Sequence, residues 1–441
     1  MDSKKLLYDL FQAYYDARRN KRCTINALAF EIDYERKLFE LYEEIKSEKY
    51  KISPSICFIL FKPVQREIFA ADFRDRIIHH LIYNYISPFF ERLFISDSYS
   101  CRKEKGTSLG IKRLDHFIRS CSRNYKQDCY VLKLDIKGYF MGIDHSILYQ
   151  KIEKTLDRFK EKANFDIDFI SRLIRQVIFH DPTKDCRFRG TKEDWKGLPK
   201  SKSLFCAGEN KGLPIGNLTS QLFGNVYLND FDHFIKYKLG CKYYGRYVDD
   251  FVIIHQNKEY LKSIIPVLRE YLQNEISLEL HSKKIYLQHF SKGVSFLGAV
   301  LKPYRIYIRN QTKGNFYKKI EYWNNFLAEN QHKLSRENLE RFLASMNSYL
   351  GIMEQYSAYK LRKKMLRQNL SAYFWNQVYI SNNYGKLVSR VKKIKKNKKI
   401  ISGQNTRSSY LTTYFGGQSP ESDRAIYRLE RSPYLVYLNA L

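Results

Sequence analysis

The sequence predicts an α+β protein, because helix-type and strand-type apolar patterns occupy different parts of its 441 residues. Leu6, Leu10 and Tyr14 recur at helical spacing near the start, and helical spacing returns after Pro303. Between these regions the apolar runs are short and alternate with polar residues, as in the segment VLKL at 131–134. Helices and strands that are segregated in this way are typical of the α+β class.

Five segments follow from these patterns and from changes in composition along the chain. They are a helical extension (1–60), a basic segment of mixed pattern (61–125), a strand-rich segment (126–303) with an excursion at about 141–211, a helical segment with a basic end (304–400) and a tail of unknown role (401–441). Residues 76–82 predict a helix, and Ser335 is the predicted N-cap of a later helix with one apolar stripe.

The charge of the chain restricts its partners. Lys and Arg total 77 against 46 Asp and Glu, which gives a formal net charge of +31, and 44% of the residues are hydrophobic. This hydrophobic content excludes global disorder, and a compact body with such a charge favours a nucleic acid as its partner. A membrane is disfavoured, because the sequence contains no run of 18 apolar residues. The eight cysteines form no CxxC pair, so we expect reduced thiols and a cytoplasmic location.

The strongest local pattern is a pair of adjacent acids between two apolar strands, in the segment YYGRYVDDFVII at 243–254. A two-residue turn would place the carboxylates of Asp249 and Asp250 together at the tip of a hairpin. The two charges would repel one another unless a cation lies between them. Turn acids are usually followed by Gly or Asn, whereas strand residues follow here at once, so we favour a metal site over an ordinary turn.

A further acid, Asp135, follows the apolar run 131–134. A buried charge at a strand end is costly without a partner, although an Asp at this point could also cap a helix. Three carboxylates from neighbouring strand ends can hold two Mg²⁺ ions about 3.5–4 Å apart. One ion would activate an attacking 3′-hydroxyl and the other would neutralise a triphosphate. Hard oxygen ligands suit Mg²⁺, with Mn²⁺ as a substitute, and no cluster of His and Cys indicates zinc.

A turn rich in small residues, GLPIGNLTSQLFGN at 212–225, precedes a predicted helix over 222–234. Gly216 and Ser220 would allow a base pair to approach the backbone closely. A glycine-rich turn into a helix is common, so this pattern alone has low specificity.

Together these segments resemble motifs A, B and C of reverse transcriptases, in the order that the family shows. The matching segments are Asp135 in its strand, GNLTSQ at 216–221 and YVDD at 247–250, with upstream finger motifs at 74–80 and 98–102, motif D at 280–284 and motif E at 296–298. The resemblance covers about residues 60–360. It implies a right-hand polymerase with an antiparallel-sheet palm (126–303), mixed fingers (61–125) and a helical thumb (304–400).

A narrower resemblance is to the reverse transcriptases of diversity-generating retroelements. Motif B opens here with Ile215-Gly216 and closes with Ser220-Gln221, where most retroviral and group II intron enzymes carry Gln-Gly and Ser-Pro. This resemblance implies a bacterial or phage-encoded enzyme that copies a template-repeat RNA into cDNA, with errors at template adenines and a small basic helical accessory protein as partner. The alternative is an antiphage-defence or group II intron-like reverse transcriptase with another RNA template.

The resemblance also implies a role for each residue of the site. Asp135 and Asp249 are direct metal ligands, Asp250 supports them, and Ile136 adds a backbone carbonyl. Lys284 is the general acid for the pyrophosphate leaving group, although the adjacent lysine leaves the register open.

Other residues are assigned to the nucleotide and to the RNA. The nucleotide-binding set is Arg66, Arg74, Tyr139, Gly216 and Gln221, in which the two arginines bind the triphosphate or, alternatively, form a solvated basic face. Tyr139 is a steric gate against a ribose 2′-hydroxyl or, alternatively, a buried aromatic. Ile215, which cannot hydrogen-bond as Gln does, is the predicted fidelity residue or simply packs the palm. The predicted contacts to the RNA backbone, which could instead be a solvated helix face, are Lys392, Lys393, Lys395, Lys396, Lys398 and Lys399.

Overall fold

The computed structural model describes residues 3–19, 24–62, 64–331 and 333–390. The chain forms two compact units that divide between Arg305 and Ile306, close to the predicted boundary at residue 303. The α+β class is confirmed, because the first unit combines many helices with an antiparallel sheet. The assignment of fingers, palm and thumb to the segments stays a prediction.

The helices of the first unit are α1 (Ser3–Arg18), α2 (Ile25–Glu31), α3 (Tyr34–Lys46), α4 (Phe73–Leu93), α5 (Thr107–Cys121), α6 (Tyr139–Gly142), α7 (His145–Arg158), α8 (Ile167–Phe179), α9 (Leu218–Tyr227), α10 (Asn229–His233) and α11 (Lys258–Ile276). Its strands are β1 (Ser55–Leu60), β2 (Arg66–Ala70), β3 (Tyr130–Lys137), β4 (Cys186–Phe188), β5 (Tyr243–Tyr247), β6 (Asp250–His255), β7 (Glu279–Leu280), β8 (Tyr286–His289), β9 (Val294–Phe296) and β10 (Ala299–Lys302). Strand β11 (Arg305–Ile308) spans the division between the units.

The central sheet has the strand order β5-β6-β3-β7, and β8 also pairs with β3. All of these pairings are antiparallel. The inward residues of β3, such as Leu132 and Leu134, are fully buried, as the alternating apolar pattern predicts. The sheet therefore places β3 beside the β5–β6 hairpin, which carries the paired acids.

A second, smaller sheet supports the excursion. Strands β1 and β2 form an antiparallel hairpin, and β4 from the excursion adds to β1 in parallel. The carboxylate of Glu67 in β2 is 1% exposed and accepts hydrogen bonds from Trp195 Nε1 at 2.7 Å, Ser203 Oγ at 2.8 Å and the Leu204 amide at 2.6 Å. This buried acid fixes the excursion to the hairpin.

The helical extension packs within the first unit through α1, which lies against α4. Tyr14 of α1 stacks on Tyr34 at 4.9 Å between ring centroids and meets Phe73 edge-on at 6.2 Å. The helix predicted over 76–82 is confirmed and is longer, since α4 begins at Phe73 with Asp72 as its N-cap. The helix predicted over 222–234 is instead split into α9 and α10, with α9 beginning at Leu218.

Up to residue 390, where the described residues end, the second unit contains α12 (Asn310–Glu329), α13 (Arg336–Glu354), α14 (Tyr359–Asn369), α15 (Phe374–Gln377), β12 (Val378–Ser381) and β13 (Lys386–Ser389). Ser335 caps α13 as predicted, because its side chain accepts a hydrogen bond from the Asn338 amide. The β12–β13 hairpin was not predicted. It is fixed to α13 by Asn347, whose side chain binds both the amide and the carbonyl of Leu387.

In the described part of the chain, no helix is long and apolar enough to cross a membrane. The predicted RNA-binding lysines Lys392, Lys393, Lys395, Lys396, Lys398 and Lys399, and the tail 401–441, lie outside the described residues.

Replacing Phe342 by Ala should destabilise the second unit. This side chain is fully buried and stacks on Phe374 with 4.2 Å between centroids, so its loss leaves a cavity that costs about 3–5 kcal/mol. Chemical denaturation of the full chain should show the unfolding of this unit at a lower denaturant concentration. The control Tyr373→Ala removes a side chain that is 50% exposed and should leave the midpoint almost unchanged. Equal midpoints for both variants would contradict the packing described here.

Candidate active site

The candidate site lies where the end of β3 meets the β5–β6 hairpin. Asp135 is 8% exposed and pairs across the sheet with Asp250. The amide of Ile136 donates to the carbonyl of Asp249 at 3.2 Å, which brings the hairpin turn onto β3. The three predicted acids therefore converge, and Asp135 belongs to a strand rather than to a helix cap.

The hairpin turn differs from the predicted one by a residue. Its two turn residues are Val248 and Asp249, because Tyr247 pairs with Asp250, which already begins β6. Only Asp249 is thus at the tip, and Asp250 lies in the ladder opposite Asp135. Val248 has φ +56°, a left-handed conformation that is strained for a β-branched residue.

Hydrogen bonds to both backbone groups hold Val248 in this conformation. Its amide donates to Ser100 Oγ at 3.1 Å, and its carbonyl accepts from Arg246 Nη1 at 3.0 Å. The segment around Ser98 pairs with β5 as well, since the amide of Tyr99 donates to the carbonyl of Arg246 at 2.9 Å. The segment 98–102, which resembles a finger motif, is therefore a support of the acid-bearing hairpin.

A buried ion pair lies behind the hairpin. The side chains of Arg246 and Asp232 are both 0% exposed, and Arg246 binds the carboxylate in bidentate fashion through Nε at 2.7 Å and Nη2 at 2.6 Å. Tyr244 donates its hydroxyl to the same carboxylate at 2.6 Å. Sequence reasoning missed these residues, although a charged residue within the apolar run of β5 was a signal that a buried partner was needed.

The pKa values of Asp249 and Asp250 are raised at this site. Burial, followed by the charges of Asp135 and Asp250, raises the pKa of Asp249 to about 6. Burial also raises the pKa of Asp250, against the charge of Lys133, whose Nζ lies 3.4 Å from Oδ1. A positive charge near Asp249 would favour its ionised form.

Lys284 supplies such a charge from the loop after β7. Its Nζ lies 2.8 Å and 2.9 Å from the two carboxylate oxygens of Asp135, so Lys284, and not Lys283, is the lysine at the site. Partial burial lowers the pKa of Lys284, but the hydrogen bond and charge of Asp135 outweigh it and raise the pKa above its ordinary value. The amine is therefore held in its protonated form.

The oxygen atoms of the three acids are of the type that a hard divalent cation binds. Carboxylate oxygens of Asp135, Asp249 and Asp250 are the ligands that Mg²⁺ prefers, and their mutual repulsion is the condition that a bound cation relieves. Within the described residues, no three His, Cys, Asp or Glu side chains are grouped as a ready metal site. Lys133 and Lys284 bind two of the three acids instead, and a metal ion would have to displace these contacts.

The motif B turn packs against strand β2. The carbonyl of Ile215 accepts from the Phe69 amide at 2.9 Å, and Asn217 Oδ1 accepts from the Ala71 amide at 3.1 Å. Gly216 has φ +132°, and a Cβ there would lie 3.0 Å from the Phe69 carbonyl, so only glycine fits. The half-buried Ile215 side chain packs with the apolar residues of β1 and β2, which lie outside the segment predicted as the palm.

Tyr139 is a buried aromatic in this structure. Its ring is 3% exposed, and its hydroxyl donates to the carbonyl of Gly224 in α9. Because this side chain is buried, the structure favours a packing role for Tyr139 over direct contact with a ribose. The adjacent Phe140 is the partly exposed aromatic at this position.

The remaining nucleotide-binding candidates lie on three different elements. Arg74 at the start of α4 forms an ion pair with Glu44 and lies over the Tyr50 ring at 5.3 Å, so it is engaged with the helical extension. Arg66 begins β2, and Gln221 is half-buried in α9. Their roles toward a nucleotide stay predictions.

Comparison with known proteins gives the family of the chain. Residues 62–301, more than half of the chain, match the family described as "Reverse transcriptase (RNA-dependent DNA polymerase)". Protein YkfC of Escherichia coli (strain K12) is 23% identical over 260 residues, which span 51% of this chain and 60% of that protein. The chain thus covers less than two thirds of this relative.

Two solved telomerase structures are also similar. The apo telomerase from Candida tropicalis, truncated from its C-terminal domain, is 14% identical, with 58% of this chain and 55% of that one covered at a TM-score of 0.43. The telomerase from Candida albicans with a fragment of telomeric RNA is 12% identical, with 78% and 71% covered at a TM-score of 0.42.

An antiparallel sheet carries acids at the end of β3 and in the adjoining hairpin turn. The match over residues 62–301 shows the family to which this fold belongs: the chain is a member of the reverse transcriptase family.

Replacing Arg246 by Ala should destabilise the first unit by about 3–5 kcal/mol, because it leaves the buried carboxylate of Asp232 without its partner. Thermal or chemical unfolding of the full chain would measure the loss. Arg269→Ala, at an exposed position of α11, is the matched control and should change stability by less than about 0.5 kcal/mol. If the two variants unfold alike, the ion pair does not support the hairpin.

Proposed function

We propose that the protein is an RNA-directed DNA polymerase that copies a template RNA into cDNA by nucleotidyl transfer. The observation that carries this proposal is the convergence of Asp135, Asp249, Asp250 and Lys284 at one edge of the sheet. Family membership supports the same reaction. Template RNA, a DNA primer or cDNA, and deoxynucleoside triphosphates are the corresponding substrates.

The chemistry divides between the acids and the lysine. Two Mg²⁺ ions, held by Asp135, Asp249, Asp250 and the Ile136 carbonyl, would supply activation of the 3′-hydroxyl and neutralisation of the triphosphate. Lys284 carries a proton on Nζ that can pass to the pyrophosphate as its leaving oxygen gains charge. This proton is available near neutral pH, because the ordinary pKa of a lysine lies well above 7.

We further propose that the enzyme works in a diversity-generating retroelement and misreads template adenines, with a small basic accessory protein as partner. Support comes from the Ile215-Gly216 opening of motif B, where the side chain offers only apolar contact. The alternative is a defence or group II intron-like enzyme with the same chemistry and another RNA template. Primer extension on a defined RNA, followed by sequencing of the cDNA, tests the activity and the subclass together.

Asp249→Asn should lower the rate of DNA synthesis by about 100-fold or more. The change removes one carboxylate charge from the reacting centre but no contact to the phosphates elsewhere, so RNA affinity should stay nearly unchanged. Primer extension with Mg²⁺ and a separate RNA-binding titration measure the two effects. Asp157→Asn, at an exposed position of α7, should extend primers as the wild type does. Near wild-type extension by Asp249→Asn would refute the site assignment.

Ile215→Gln should reduce errors opposite template adenine by roughly tenfold to a hundredfold. A Gln can hydrogen-bond near the base pair, and one such contact supplies about 1–3 kcal/mol of discrimination. The measurement is deep sequencing of cDNA made on an adenine-containing RNA. Ile215→Val keeps the apolar contact with β1 and β2 and should retain the wild-type error spectrum. A low and base-independent error rate in all three proteins would contradict the retroelement assignment.

A further inference from the structure

An exposed aromatic surface lies on the excursion, formed by Phe188, Trp195 and Phe205. Phe188 is 61% exposed and Phe205 is 42% exposed. Their rings are nearly parallel, at 15° with 5.8 Å between centroids, and Trp195 meets Phe188 edge-on at 5.6 Å. Large rings that cluster in solvent mark a binding surface more often than single exposed apolar residues do.

This aromatic surface is held rigidly. The buried carboxylate of Glu67 binds the indole of Trp195 and, at 2.6 Å, the amide of Leu204, which precedes Phe205. The amide of Arg189, which follows Phe188, donates to the Cys57 carbonyl at 2.8 Å. Rings that are already ordered lose little entropy when a ligand stacks on them.

The ring of Phe69 lies between the aromatic surface and the motif B turn. Phe205 lies 5.5 Å from Phe69, and the backbone of Phe69 touches both Ile215 and Gly216. The excursion also reaches the segment after Asp135, since a Cβ on Gly138 would lie 2.8 Å from the carbonyl of Ser201. A nucleic-acid strand that leaves the candidate site on this side would contact the exposed rings.

The charges around the rings favour a nucleic acid. Residues 181–211 contain eight Lys and Arg against five Asp and Glu, and Arg187, Lys200 and Lys202 are exposed. Single-stranded nucleic acids are bound by aromatic rings that stack on bases, within a basic groove that follows the backbone. Protein interfaces are instead depleted in lysine.

We propose that the aromatic surface binds single-stranded RNA, namely the unpaired 5′ part of the template that has yet to be copied. The proposal rests on the proposed function, because it takes the template as the bound strand. Phe188 and Phe205 stack on bases, and the exposed basic residues of the excursion contact phosphates.

The test compares two RNA–DNA hybrids, one with a long unpaired 5′ RNA overhang and one with blunt ends, by fluorescence anisotropy at one salt concentration. Phe188→Leu keeps apolar volume against Trp195 and Phe205 but removes the stacking ring. It should weaken binding of the overhang hybrid about tenfold and leave the blunt hybrid unchanged. Phe188→Tyr should restore binding. Tyr237→Leu, which alters a 72% exposed ring elsewhere, should match the wild type on both hybrids.

Photocrosslinking gives a second readout that does not depend on a variant. An overhang that contains 4-thiouridine should crosslink the wild-type protein in peptides that include Phe188 or Phe205. Unchanged overhang binding by Phe188→Leu, or an equal loss on both hybrids, would overturn the proposal.

Failure of this inference can be separated from failure of the proposed function. If the wild type extends primers and Phe188→Leu binds the overhang normally, only the RNA-binding surface is wrong. If the wild type does not extend primers but the overhang effect is present, the surface stands as an RNA-binding site and the polymerase proposal fails.

Discussion

The buried ion pair between Arg246 and Asp232 is the interaction on which the candidate active site depends. It joins β5 to α10 without any exposure to solvent, and the same guanidinium reaches the carbonyl of Val248. Val248 is thereby held in a left-handed conformation that a β-branched residue rarely adopts. Strained backbone persists only where its surroundings enforce it, and here it determines where the next residue, Asp249, directs its carboxylate.

Strand β2 has the corresponding role on the other side of the site. Its backbone binds the motif B turn through the amides of Phe69 and, just beyond the strand, Ala71, while Glu67 fixes the excursion. The turn, the excursion and the β1–β2 hairpin therefore form one connected support. A substitution in β2 would therefore alter both the position of the motif B turn, beside the predicted base pair, and the position of the exposed rings.

The electrostatics of the site are those of a partly neutralised cluster of acids. Asp135 and Asp250 each have a lysine partner, whereas Asp249 has a pKa that is raised to about 6. Burial and repulsion between the acids disfavour the ionised forms of Asp249 and Asp250 unless positive charge is nearby. The lysines supply part of it, and this is the physical reason for expecting a cation at this edge of the sheet.

Local pattern in the sequence determined the α+β class, strand β3, helix α4, the N-cap at Ser335 and the three acids, because these features depend on residues that are close in the chain. Only the tertiary structure decided the turn register at Val248, the selection of Lys284 over its neighbour, the burial of Tyr139 and the partner of Arg246. Each of these depends on contacts between distant segments, such as Lys284 with Asp135 or Tyr139 with Gly224. Residue spacing does not specify such contacts. The same local pattern allows a side chain to lie on either face of a strand or loop, and only packing against a distant segment fixes which face it occupies.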